Sequence, residues 1–281
     1  MSLPYPVTLP GRATGDEILA CADALRAARP GAEPVAFWDF DGTLFEGDCS
    51  EGFMSGDRVY IPGLVAQAVA AGWSRAYPAD GGFARCWQDY QALMERSGAA
   101  AAYPWLVRVF AGAPESALRK LAAHEFNGRL RPWFFAEALD LWRKLEDGGV
   151  RGIVISASAD FFVKGAAEVL EVPPDRLHGL RLGTRPDGLL TDQTMEPVTV
   201  GEGKADLLRQ LLAERGAVPA GGCFPAAAIG NDFFTDGPML EAVARAILPG
   251  GTPVVALVNS PPPPSHADCL TEISFARRRL S

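Results

Sequence analysis

At 281 residues the chain exceeds one average domain, which leaves room for a single large domain or for a core with a smaller insert. Hydrophobic residues make up 48% and charged residues 21%, the balance of a globular protein with a sizeable core. A formal net charge of −8 excludes a broad nucleic-acid surface, which would be basic, and no run approaches the ~20 apolar residues that cross a bilayer.

The start, Met1-Ser2-Leu3-Pro4-Tyr5-Pro6, lacks a basic segment followed by an apolar run, so no secretory signal is expected. Cys21, Cys49, Cys86, Cys223 and Cys269 are scattered without paired zinc spacing, which suits reduced thiols in the cytoplasm. The first ten residues are expected to be irregular. Thr14-Gly15-Asp16-Glu17 reads as a capping box that opens a helix to about Arg29. Val35 to Phe40 is a short apolar run and reads as a buried strand.

From Glu46 to about Gly128 apolar residues recur at helical spacing between glycine and proline breaks, so residues 46–128 read as a helical insert. A helix then runs from Arg131-Pro132 to Gly148-Gly149, where tandem glycines suit a left-handed C-cap. The β-branched run Val150 to Ile155 reads as a second strand. A helix over Asp160 to Val172 follows, then a hairpin over His178 to Val200 with Pro186-Asp187-Gly188 as its turn. Lys204 to Arg215 is helical, Phe224 to Ile229 a third strand, Pro238 to Ala246 a helix and Thr252 to Val258 a fourth strand. Strands alternating with helices imply an α/β fold with a largely parallel sheet. The proline-rich tail from Pro261 reads as a surface extension.

Open parallel sheets hold ligands beyond the carboxyl ends of their strands. Asp39 and Asp41 end the first strand, Ser156 ends the second, Asp232 and Asp236 follow the third, and Lys204 opens a helix between the last two. Carboxylates gathered at one point repel unless a cation joins them. Magnesium, with a few carboxylates plus water and phosphate oxygen, is the hard cation that fits. A carboxylate nucleophile splits a difficult hydrolysis into two displacements, and a second carboxyl protonates the leaving alcohol and then activates water.

Asp39-Phe40-Asp41-Gly42-Thr43-Leu44 resembles the first motif of the haloacid dehalogenase-like hydrolases. Ser156 resembles the second, Lys204 in Glu202-Gly203-Lys204-Ala205-Asp206 the third, and Gly230-Asn231-Asp232-Phe233-Phe234-Thr235-Asp236 the acidic fourth. The resemblance implies a Rossmann-like core over residues 1–45 and 129–281 and a helical cap over 46–128. It implies a magnesium-dependent phosphatase acting on a small phosphate monoester, phosphoserine-like or an amino-alcohol phosphate. Asp39 would be the nucleophile and Asp41 the acid–base. Ser156, Ala157 and Lys204 would bind phosphate, Asp39, Asp41 and Asp232 would hold Mg2+, and Asp236 and Thr235 would support them. Asp48, Glu51 and Arg85 would read the substrate. The serine run after the second strand is similar to the phosphoserine phosphatase-like branch. The chain departs from it at Gly42 and at Ser156-Ala157-Ser158, where phosphoserine enzymes usually carry a different residue and Ser-Gly-Gly.

Plainer roles compete at each position. Asp-Gly is a common turn pair, Ser156 and the two later aspartates suit helix caps, and Trp73, Trp87 and Trp105 suit helix core rather than an aromatic wall. A phosphotransferase with the same intermediate and a non-catalytic phospho-ligand-binding protein are the alternative functions. No nucleic-acid or membrane partner is expected.

Overall fold

A computed structural model describes residues 8–54, 60–216 and 221–276. In chain order the first elements are β1 (Thr8–Pro10), α1 (Gly11–Ala28), β2 (Glu33–Trp38), β3 (Gly52–Met54), β4 (Tyr60–Pro62), α2 (Leu64–Ala70), α3 (Gly82–Ser97), α4 (Ala99–Arg108) and α5 (Glu115–Asn127). Next come α6 (Ala136–Asp147), β5 (Arg151–Ala159), α7 (Asp160–Val163), α8 (Ala167–Leu170), β6 (Leu177–Leu180), β7 (Leu182–Thr184) and β8 (Leu190–Thr194). The chain continues through α9 (Glu202–Gly216), β9 (Cys223–Gly230), α10 (Phe233–Ala244), β10 (Val254–Val258) and β11 (Thr271–Ser274).

The chain falls into two compact units. The first runs to Glu46, resumes over Phe134–Ile155 and again from Gly201; the second comprises Gly47–Trp133 and Ser156–Val200.

The first unit is an α/β layer structure. Its strands run parallel in the order β1-β11-β10-β9-β2-β5. Helices cover both faces, so the central strands are apolar throughout rather than alternating. In β2 the odd positions Val35 and Phe37 join Ile153, Ile155, Leu208, Leu240 and Val243 in a core beneath α9 and α10. The even positions face α6, where the rings of Trp38 and Trp142 lie 5.7 Å apart. The α1 stripe Ile18, Ala22 and Leu25 is fully buried, the 3.6-residue period of an amphipathic helix. Gly149, with φ +73°, ends α6 in the left-handed C-cap that its sequence predicts.

The second unit is mainly helical and includes two hairpins, β3/β4 and β7/β8. Pro186-Asp187-Gly188 turns the latter, with Gly188 at φ +80°. Here β6 lies against the end of β5: a Cβ on Gly179 would come within 2.7 Å of Asp160 Cα.

Several expectations need correction. The helix at the start opens at Gly11, not at a Thr14 cap, and Thr14 is buried inside it. Residues 8–10 of the supposedly irregular start form edge strand β1; residues 1–7 lie outside the described residues. β5 continues four residues past Ile155, so Ser156 sits inside a strand rather than ending one. The helix expected over Asp160 to Val172 is broken into α7, a 3-10 turn and α8, and the insert read as helical also carries β3/β4. The helix expected to open at Pro238 begins five residues earlier, at Phe233. Among the described residues no helix is long and apolar enough to cross a membrane.

Candidate active site

In the first unit the parallel sheet delivers its polar residues to one end. Asp39 follows the last residue of β2, and its N–H extends the ladder by donating to Ile229 O of β9 at 2.8 Å. The chain then turns sharply: the amides of Leu44 and Phe45 donate to Phe40 O at 2.9 and 3.0 Å. Thr43 Oγ1 donates back to Asp39 Oδ2 at 3.1 Å.

Lys204, on the first turn of α9, holds the centre. Its Nζ donates to Asp39 Oδ1 and to Asp236 Oδ1, both at 2.6 Å, and its side chain is 1% exposed. A lysine so near a helix N-terminus is unfavourable for the helix; here two carboxylates compensate it. Burial alone would lower its pKa, but the attraction of Asp236 and Asp39 outweighs burial and holds it above the ordinary lysine value. Asp39 is pushed up to about 6, by burial first and by the charge of Asp236 second, with Lys204 pulling it back only in part. Two buried carboxylates share one ammonium, so the cluster carries surplus negative charge.

The loop after β9 supplies the rest. Asp236 Oδ2 accepts the amides of Asn231 and Asp232 at 3.0 and 3.1 Å. A Cβ on Gly230 would fall 2.5 Å from that same oxygen, so the loop needs glycine there. Asp232 caps α10, its Oδ1 accepting from Phe234 N at 3.0 Å. Thr235 Oγ1 lies 3.4 Å from both Asp232 O and Asp236 Oδ1. Gly201 N donates to Thr235 O at 3.1 Å, tying the start of α9 to this loop.

Asp39, Lys204, Asp232, Thr235 and Asp236 are therefore brought together within one unit, with half-buried Asp41 on the adjoining turn. Thr43 and Asn231 lie inside the motifs, but sequence reasoning assigned them no role. The hydroxyl four residues after Asp39 was the available signal for Thr43.

The donor set suits a hard divalent cation. The carboxylates of Asp39 and Asp232 and the carbonyl of Asp41 are all oxygens, and the surplus negative charge calls for a positive ion. Among the described residues no three His, Cys, Asp or Glu side chains form a ready-made metal cage. A set of two carboxylates and one carbonyl would not form one, and magnesium commonly completes its shell with water and phosphate oxygen.

The second unit holds the other predicted residues. Ser156 is buried on β5, and its Oγ accepts from Ser158 N at 3.0 Å, which leaves its hydroxyl proton free to donate. Ser158 Oγ in turn accepts from Ser50 Oγ at 3.0 Å. Asp48 Oδ1 accepts the amides of Ser50 and Glu51 at 2.8 and 2.6 Å, which opposes the upward pull of burial on its pKa. Glu51 Oε1 accepts from Tyr90 OH of α3. Burial and the neighbouring Asp48 raise Glu51 to about 7. Arg85 points to solvent from α3, and its ion-pair partner is Asp89 at 3.9 Å rather than either acid.

The haloacid dehalogenase-like hydrolase family model matches residues 36–231, which takes in β2 with its Asp-x-Asp turn and ends at Asn231. The chain belongs to that family. A phosphoserine phosphatase from Halobacterium salinarum is 36% identical to this hydrolase over 76% of the chain and 83% of the relative. That relative agrees with the expectation of a phosphoric monoester hydrolase. A Bordetella pertussis protein of unknown function shares the fold at TM-score 0.62 and 19% identity, over 86% of this chain and 98% of its own. A phosphoserine phosphatase, solved as an analogue of its phospho-aspartyl intermediate, does so at TM-score 0.50 and 15% identity, over 88% and 95%.

Proposed function

We propose that this hydrolase is a magnesium-dependent phosphatase that cleaves a small phosphate monoester through a phosphoryl group carried on Asp39. The observation that supports this best is the buried carboxylate of Asp39, held by Lys204 between it and Asp236. A nucleophile that must face one phosphorus has to be held in one orientation, and the buried ammonium of Lys204 with the Thr43 hydroxyl does this for Asp39.

The steps balance with the chain's own residues. An Asp39 oxygen attacks phosphorus, the ester P–O bond breaks, and Asp41 gives its proton to the departing alcohol. Asp41, now a carboxylate, takes a proton from water as that water attacks the aspartyl phosphate; the new P–O bond forms, the acyl phosphate breaks, and Asp39 and inorganic phosphate are released. Lys204 and the Ser156 hydroxyl, with Ala157 beside it, offset charge on the transferring oxygens. Asp39, Asp232 and the Asp41 carbonyl would hold Mg2+, which when bound supplies positive charge to those oxygens. Asp236 and Thr235 keep Lys204 and the Asp232 loop in place.

The name of the Halobacterium relative supports a phosphoserine-like substrate, and an amino-alcohol phosphate would carry the same ammonium. Asp48 and Glu51 would receive the ammonium of such a substrate; Arg85, which points to solvent beside Asp89, would have to turn inward to meet its carboxylate. Residues 46–128 would act as a cap over the core, and free thiols at Cys21, Cys49, Cys86, Cys223 and Cys269 would suit the reducing cytoplasm. Rapid quench of the enzyme with a 32P-labelled ester, followed by peptide mapping, tests the mechanism. Label on the Asp39 peptide is expected; turnover without label on that peptide would refute it.

A further inference from the structure

Gly42 follows Asp41 in the middle of the active-site turn, and it is left-handed, with φ +74°. Its N–H donates to Phe45 O at 2.6 Å. Glycine moves between left- and right-handed backbone at little cost, so this position is a hinge next to the residue that must present a carboxyl twice, first as acid and then as base. Something has to remove that freedom.

Two supports are present. Phe40 and Phe45 stack with centroids 6.1 Å apart and planes within 6°, and Phe134 meets both edge-on at 5.9 and 5.4 Å. That cluster fixes the two ends of the turn. Its middle is covered by a different residue: a Cβ on Gly42 would collide with the carboxamide of Asn231, 2.5 Å from Cγ and 3.2 Å from Oδ1. The backbone that carries this carboxamide is held, because the Asn231 main-chain N–H donates to Asp236 Oδ2 at 3.0 Å. Its side chain thus fills the space that a side chain at position 42 would take.

We propose that Asn231 is a positioning residue for Asp41, acting as a steric stop on the Gly42 hinge. The inference rests on the reading of Asp41 as acid–base. It differs from a packing role because Asn231 is half-buried and contributes little core, so its loss should appear in chemistry before it appears in stability.

The test is a double-mutant cycle with Asn231→Gly, Gly42→Ala and the pair, measured for kcat, KM and Tm on the best phosphate ester. Small misplacements at a reacting group cost on the order of 100-fold in rate, so Asn231→Gly is expected to lower kcat by roughly 10- to 100-fold. KM should change less than about threefold and Tm by no more than about 2 °C. Gly42→Ala alone is impaired because its Cβ displaces the carboxamide and because alanine is strained at φ +74°. In the pair the methyl group occupies the vacated space while that backbone strain stays, so kcat recovers at least about threefold over Gly42→Ala. Unchanged kcat in Asn231→Gly, or losses that simply multiply in the pair, would overturn the inference while leaving the phosphatase reading intact. A wild type that hydrolyses no phosphate ester would overturn the phosphatase reading, and the role given to Asn231 with it.

Discussion

Lys204→Met removes the one cation from the buried cluster and leaves Asp39 and Asp236 facing each other out of water. Lys204, Asp39 and Asp236 are 1%, 6% and 0% exposed at the side chain, so neither acid can recover its hydration. Breaking a buried pair by deleting one partner costs about 3–5 kcal/mol, and in a chain of this size each kcal/mol moves Tm by roughly 2–4 °C. The expected loss is therefore roughly 6–20 °C, read by circular-dichroism melting at pH 7 in EDTA so that no metal stands in for the ammonium. Lys204→Met/Asp236→Asn removes the repulsion as well as the attraction and should regain at least half of the loss, although catalysis stays absent in both. A Lys204→Met protein that melts within about 2 °C of wild type would refute this account of the cluster, since a buried carboxylate pair without its ammonium must either repel or take up a proton at pH 7, and both cost stability.

Glu51 is raised from 4.5 to about 7 by burial and by Asp48. The folded state therefore holds a proton that the unfolded chain releases at lower pH. Stability from this group falls as pH rises from about 4.5 to 7 and is lowest above it, by up to about 3 kcal/mol at 1.36 kcal/mol per pH unit. Glu51→Gln should flatten the Tm profile between pH 5 and 8; a variant profile parallel to wild type would contradict the assignment. Gly152→Ala places a methyl group within 2.6 Å of the Trp142 ring, and overpacking of this kind costs about 1–3 kcal/mol, measured as a lower urea midpoint with unchanged slope. Ser158→Ala deletes the partner of the Ser50 hydroxyl and should cost about 1 kcal/mol by the same titration.

The sequence carried the centre of the fold further than its edges. Val35–Phe40, Phe224–Ile229 and Thr252–Val258 are apolar runs because helices cover both faces of their sheet, and each coincides with a strand to within two residues. β1 and β11 are three and four residues long, too short for any period to show. Thr14-Gly15-Asp16-Glu17 has the letters of a capping box, yet the helix starts at Gly11, where no cap residue marks it. Pro238 looked like a helix start because proline suits the first turn; the true cap is Asp232, which sequence reading weighed mainly as a metal ligand. It caps through Oδ1, while Thr235 Oγ1 lies 3.5 Å from its Oδ2.

Within the site, the spacing of Asp39, Lys204, Asp232 and Asp236 was legible because each follows a strand or opens a helix at the same end of the sheet. The Lys204 bridge to both Asp39 and Asp236 was only half legible, since one ammonium serving two acids is a fact of packing. Asn231 was invisible: its significance lies in the space above Gly42 that its carboxamide fills, and no residue pattern encodes a volume. Arg85, Asp48 and Glu51 were grouped by charge, but helix phase sends Arg85 outward toward Asp89 while Glu51 turns to Tyr90.

Phosphate release from a panel of small esters, including phosphoserine and phosphoethanolamine, for wild type and Asp39→Asn in magnesium or in EDTA, tests the central claim most directly. The account predicts release by wild type in magnesium alone and none by Asp39→Asn under either condition. Release that persists in EDTA or in Asp39→Asn would contradict it.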